Sequence, residues 1–167
     1  AKVILTPAAE RGSGMVRKAR ELAEKHGWFL ASQFANPANP AYHRQTTGAE
    51  ILRDFAGRRL DYFVSGWGTG GTLTGVGRYL KEQNSNIKII AMEPASSPLL
   101  SGGKAGPHKL QGIGANFVPD VLDTKLYDEV VTVTDDEGYA GMHLLCEREG
   151  LLCGVSSGAA AIAAAKL

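Results

Sequence analysis

Cysteine is nearly absent from this sequence: Cys146 and Cys153 are the only two in 167 residues. Two thiols cannot make a disulfide framework, so the composition suits a reducing compartment, the cytoplasm. Each thiol reads as a small buried apolar side chain. An excess of charge of either sign is also missing. The 18 Lys and Arg balance 17 Asp and Glu for a net charge of +1, and no basic block interrupts the chain. That excludes the electrostatic footprint of a nucleic-acid-binding surface. No apolar run approaches the length needed to span a bilayer, which argues against a membrane helix. Metal-ligand spacing is lacking too, since His26, His43, His108 and His143 form no zinc-type pattern with one another or with the cysteines. His143 reads as a core histidine on an apolar helical face.

Glycine, by contrast, is plentiful at 21 residues, and 44% hydrophobic with 21% charged residues describes an ordinary globular chain with one domain's core. Strand-like and helix-like patterns alternate along it. Lys2 to Thr6 (KVILT), Trp28 to Ser32, Leu60 to Ser65, Ile87 to Met92 and Val130 to Thr134 read as strands. Helical spacing runs from Met15 to a stop at Gly27, from Tyr42 to Phe55, and from Leu73 to Gln83. A later helix takes Asp135 as its cap and places Tyr139, Met142, His143 and Cys146 on one face. An alanine-rich helix begins near Gly158. Asn36 to Pro40 holds two prolines, which fix φ and remove donors, and reads as a hinge between subdomains. Pro94 to Pro119 is long, irregular and glycine-rich, as functional loops are. This order predicts an α/β fold with a mainly parallel sheet flanked by helices.

The densest chemical signal is SGWGTGGTLTG, Ser65 to Gly75, between a predicted strand and a predicted helix. Glycines strip side chains from a turn, so its N–H groups can close around a phosphate at the positive N-terminus of the helix. Thr69 and Thr72 add hydroxyl donors. Two ligands fit this pattern. Gly66, Gly68 and Gly71 satisfy G-x-G-x-x-G, and Glu93 ends the next strand where a ribose-binding acid is expected, so a Rossmann dinucleotide-binding oxidoreductase domain is one reading. The interleaving of glycine and threonine from Gly68 to Thr72 suits instead a terminal phosphate monoester, whose three oxygens all seek donors.

GTGGTLTG resembles the phosphate loop of the cysteine synthase (O-acetylserine sulfhydrylase) family of fold-type II pyridoxal-phosphate enzymes. Further matches run in family order along the chain: QFANPANP from Gln33, HRQTTGAEI from His43, AMEPASSPLLSGG from Ala91, PHKLQGIGANFVP from Pro107 and LLCGVSSGAA from Leu151. Cystathionine β-synthases share several of these motifs. The resemblance implies pyridoxal 5'-phosphate as cofactor, its phosphate held by Gly68, Thr69, Gly70, Gly71 and Thr72. It also implies that Ser156 offers its hydroxyl to the pyridine nitrogen, tempering the ring as an electron sink. Gln33 is implied to reach the substrate carboxylate, with Gly112 lining the cleft through its backbone. His108 reads as a loop residue rather than a base.

The implied activity is β-replacement, making L-cysteine from O-acetyl-L-serine and sulfide, with a cystathionine β-synthase-like enzyme as the alternative. In the family the Schiff-base lysine precedes the region matched here, and no lysine of this chain sits in a matching motif. The chain therefore reads as an internal fragment, inactive alone. Residues 1–35 would close the N-terminal domain, and 36–167 would form most of the cofactor-phosphate domain. The resemblance further implies a homodimer and a complex with the C-terminal peptide of serine acetyltransferase.

Overall fold

The computed structural model describes residues 2–167. The chain runs through α1 (Arg11–His26), α2 (Ala38–Gln45), α3 (Thr47–Asp54), β1 (Tyr62–Gly66), α4 (Gly71–Gln83), β2 (Lys88–Pro94), β3 (Glu129–Val133), α5 (Asp135–Glu149) and α6 (Val155–Ala165). The strands form one parallel sheet in the order β1-β2-β3, with Val64 opposite Ile90 and Met92 opposite Val131. The central strand is apolar on both faces because both are covered. Ile89 and Ala91 point into a core with Leu73, Val76 and Leu80 of α4, together with Trp67 and Leu122. Ile90 and Met92 meet Ala159 and Ala163 of α6, Leu110, Val131 and Val133 on the other side. The parallel sheet and its helical cover are those predicted.

Local signals set the ends of several elements. α1 stops at Gly27, whose φ of 65° is left-handed, as the sequence predicts. α5 starts at a reciprocal cap: Thr134 Oγ1 accepts from Glu137 N at 3.2 Å, and the Glu137 carboxylate accepts from Thr134 N at 2.8 Å. The cap is therefore Thr134, and Asp135 is the first helical residue instead. α5 and α6 cross through glycine, since a Cβ on Gly158 would overlap the backbone of Met142.

Other expectations are overturned. Lys2–Thr6 and Trp28–Ser32 form no strands. Val3, Leu5 and Phe29 are 78%, 88% and 90% exposed, and a β-ladder needs a partner strand that the described residues do not place there. Asn36–Pro40 does not block a helix but begins one. Pro37 is the cap of α2 and Pro40 lies in its first turn, where a missing N–H costs no helical bond. The single helix expected over Tyr42–Phe55 is two, broken at Thr46, where φ is −114° and ψ −75°. α6 starts at Val155, three residues before Gly158. His143 and Cys146 are exposed rather than core, and Cys153 is half-buried. α5 buries Gly138 and Gly141 instead, because the face that a neighbouring helix can approach is the one without side chains.

Candidate functional site

β1 ends at Gly66 and α4 begins at Gly71, so the glycine–threonine loop sits at the C-terminal edge of the parallel sheet, where such sheets bind ligands. Gly70 caps α4 in a left-handed conformation, φ 84°, and offers no side chain to the helix end. The first helical bond runs from Thr74 N to Gly70 O at 2.9 Å. The N–H groups of Thr72 and Leu73 thus have no acceptor within the helix. Beside them stand two partly buried hydroxyls. Thr69 Oγ1 accepts from Gly71 N at 3.2 Å and from Asn39 Nδ2 at 3.0 Å, and Thr72 Oγ1 lies 3.3 Å from His43 Nε2.

The other predicted site residues gather around this loop to different degrees. Gly112, with φ of 91°, presents its carbonyl to Gly68, where a Cβ would stand 2.7 Å from that oxygen. Gly114 N donates to Trp67 O at 2.8 Å, tying the QGIG turn to the loop. His108 Nε2 donates to Gly114 O at 3.0 Å, so this histidine holds the turn. Gln33 reaches the site through one intermediary: its carbonyl accepts from Asn39 Nδ2 at 2.9 Å. It also lines a 670 Å³ cleft with Met15, Val16, Leu30, Phe34 and Phe117. A second cleft of 480 Å³ runs along Arg11, His108 and residues 111–116. No lysine lines either cleft.

Ser156 is the second residue of α6, half-buried, beside Val155, which packs into the same core cluster as Ile113. Gly154–Gly158 also spells G-x-S-x-G, the pattern of a hydrolase nucleophile elbow. That elbow needs a strand running into a sharp turn. Residues 151–154 form no strand here and the serine lies inside a helix, so the elbow is not built.

Glu93 decides against the dinucleotide reading. Its side chain is completely buried, and its carboxylate accepts from Leu100 N at 2.8 Å, Ser101 N at 2.9 Å and Ser101 Oγ at 2.7 Å. It clamps the start of the long loop and has no oxygen facing a ribose. Burial, with the charge of Glu93 nearby, raises the Tyr127 phenol above its ordinary value. Asn39 and His43 were not legible as site residues. The signal was their spacing of four on one helix, hidden because Asn36–Pro40 reads as a hinge.

The donor set fits a phosphate monoester: open N–H groups, two hydroxyls and a loop without intruding side chains. The profile of the family described as pyridoxal-phosphate dependent enzyme matches residues 1–167. The chain belongs to this family. It is 51% identical over 164 residues to a cysteine synthase of Staphylococcus aureus, covering 98% of this chain and 53% of that protein. The crystal structure of O-ureido-L-serine synthase is 47% identical with a TM-score of 0.93, over 99% of this chain and 52% of that one. The O-acetylserine dependent cystathionine β-synthase of Helicobacter pylori is 43% identical with a TM-score of 0.91, over 98% of this chain and 53% of that one. The resemblance to the cysteine synthase family and the α/β fold are both borne out. The chain spans about half the length of the relatives it matches. No helix among the described residues is long and apolar enough to cross a membrane.

Proposed function

We propose that this chain is the phosphate-holding half of a pyridoxal-phosphate enzyme that makes L-cysteine from O-acetyl-L-serine and sulfide. The observation that carries this is the open N-terminus of α4 with the hydroxyls of Thr69 and Thr72 beside it, at the C-terminal edge of a parallel sheet. Gly68–Thr72 hold the phosphate through backbone N–H groups and these hydroxyls. Ser156 donates a neutral hydroxyl to the pyridine nitrogen, Gln33 binds the substrate carboxylate, and Gly112 shapes the cleft beside Gly68. When bound, the cofactor would supply the electron sink that β-replacement needs, while these residues hold its phosphate and ring nitrogen and orient the substrate. The lysine that would hold the cofactor and move that proton is supplied from outside these residues, in keeping with two clefts that no lysine lines. Residues 1–35 belong on this reading to the N-terminal domain and 36–167 to the cofactor-phosphate domain.

The family resemblance extends the proposal to a homodimer in the cytoplasm and to a complex with the C-terminal peptide of serine acetyltransferase. A second reading is favoured by the 43% identity to the Helicobacter enzyme, whose name specifies O-acetylserine but a different product. Both readings share the donor, so the acceptor separates them. The experiment is to assay the complete protein with O-acetylserine and either sulfide or homocysteine, following visible cofactor absorbance and product together. Cysteine formation with sulfide is the expected result. Turnover with homocysteine alone would establish the second reading. Cysteine formation by residues 1–167 alone at the rate of the complete protein would refute the half-site assignment.

A further inference from the structure

We infer that α2 is the aligning element of the phosphate cup, Asn39 setting the hydroxyl of Thr69 and His43 that of Thr72. This rests on the reading of Gly68–Thr72 as the cofactor-phosphate site. Asn39 and His43 are four residues apart on α2 and so share one face. That face lies directly on the first turns of α4. A Cβ on Gly71 would overlap the Asn39 carboxamide, and one on Gly75 would overlap Pro40 O and stand 2.8 Å from His43 Cβ.

The hydrogen-bond arithmetic at Thr69 is complete. Asn39 Nδ2 donates to Gln33 O at 2.9 Å and to Thr69 Oγ1 at 3.0 Å, and Gly71 N donates to Thr69 Oγ1 at 3.2 Å. A hydroxyl has two acceptor sites and one proton. With both acceptor sites filled, the proton of Thr69 is the part left for an anion. Without Asn39, the same hydroxyl is free to turn its proton elsewhere.

At Thr72 the choice is made by a histidine tautomer. His43 Nδ1 stands 2.9 Å from Thr47 Oγ1, and its Nε2 3.3 Å from Thr72 Oγ1. When Nε2 carries the proton, it donates to Thr72 and leaves the Thr72 proton for the phosphate, while the Thr47 hydroxyl donates to Nδ1. In the other tautomer, Nε2 draws the Thr72 proton toward the ring, and the cup loses a donor. Phosphate binding therefore selects the Nε2-protonated ring. Asn39 and His43 each act through a threonine hydroxyl, and both are positioning residues.

The test measures binding of pyridoxal phosphate and of pyridoxal, which lacks the phosphate, to the complete protein and its variants. His43→Ala and Asn39→Ala each weaken pyridoxal phosphate about five- to tenfold, the scale of one hydrogen bond, and leave pyridoxal unchanged. The ³¹P resonance of bound cofactor shifts in both variants. His43→Gln, whose amide nitrogen can donate in place of Nε2–H, restores most of the affinity. In a Thr72→Val background, His43→Ala has no further effect, whereas a purely structural role would cost the same again. Should Asn39→Ala fail to fold, the two His43 variants decide alone. Unchanged phosphate affinity in His43→Ala, or equal losses for pyridoxal and pyridoxal phosphate, overturns the inference. If the unsubstituted protein binds both ligands equally, the phosphate-site reading itself falls, and this inference with it.

Discussion

Asn39 lies so tightly against Gly71 that a side chain at the first position of α4 would overlap its carboxamide. The glycine at the helix start is therefore required by the helix that crosses it, as well as by any anion it faces. Gly71→Ala separates two opposed effects. Helix propensity alone favours alanine by about 0.5–1 kcal/mol, whereas overpacking costs about 1–3 kcal/mol. The overlap is with the Asn39 carboxamide, which is held by its hydrogen bonds to Gln33 O and Thr69 Oγ1 and cannot swing aside without losing them. Overpacking therefore wins, and urea unfolding should show net destabilisation. A stabilised Gly71→Ala protein would mean that α2 yields.

Thr72→Ala removes a hydroxyl from the cup without touching the core, because Thr72 is only half-buried. Affinity for pyridoxal phosphate should fall by about 1.5–3 kcal/mol, the value of a hydrogen bond to a charged group. Equilibrium titration by absorbance or fluorescence reads this directly. Affinity equal to that of the unsubstituted protein would remove Thr72 from the site.

Glu93→Gln should destabilise the fold by about 1.5–3 kcal/mol. The carboxylate accepts three bonds, and a carboxamide turns one acceptor into a donor facing N–H or O–H groups. Denaturant midpoints measure the loss, and hydrogen exchange at Leu100 and Ser101 should accelerate with it. A neutral substitution would show that the loop is held by other contacts.

Acid should unfold this protein through a few surface-facing carboxylates. The Asp123 carboxyl is held low by its hydrogen bond from Arg78, and Glu137 by that from Lys166. At Asp128 burial pushes the value up, but Lys81, the Ile89 amide and the charge of Lys88 outweigh it and leave it lowered. A carboxyl lowered by folding contributes stability above its unfolded pKa, roughly 4, and loses it as pH falls through the lower folded value. Melting temperature should therefore hold level with respect to these groups between neutral pH and about pH 5, then drop below about pH 4. Asp128→Asn should flatten that drop. A full acid transition in the triple variant Asp123→Asn, Asp128→Asn, Glu137→Gln would place the cause elsewhere.

Regular elements with a strong local period were legible from the residues: β1, β2 and β3, α4, and α1 with its glycine stop. The extended segments at Lys2–Thr6 and Trp28–Ser32 were misread, because β-branched and aromatic residues mark a chain that can pair without saying whether a partner strand is present. α5 was misread in the opposite direction. Its apolar stripe is at the surface, while its buried line is glycine, to which an apolar pattern gives no weight.

The site divides in the same way. The order of residues alone determined the parallel α/β frame, the glycine–threonine loop at a strand end and the motifs shared with the cysteine synthase family, because these are set by local turn chemistry and short-range period. Glycine spacing admitted two ligands. Only tertiary structure showed that Glu93, the ribose-binding acid of the dinucleotide reading, spends its carboxylate on Leu100 and Ser101. Only tertiary structure laid α2 across α4, joining Asn39 to Thr69 across 30 residues and His43 to Thr72 across 29. Such contacts depend on where two helices cross, and a crossing is fixed by the space glycine leaves and by the packed core beneath, neither of which is written in the period of either segment.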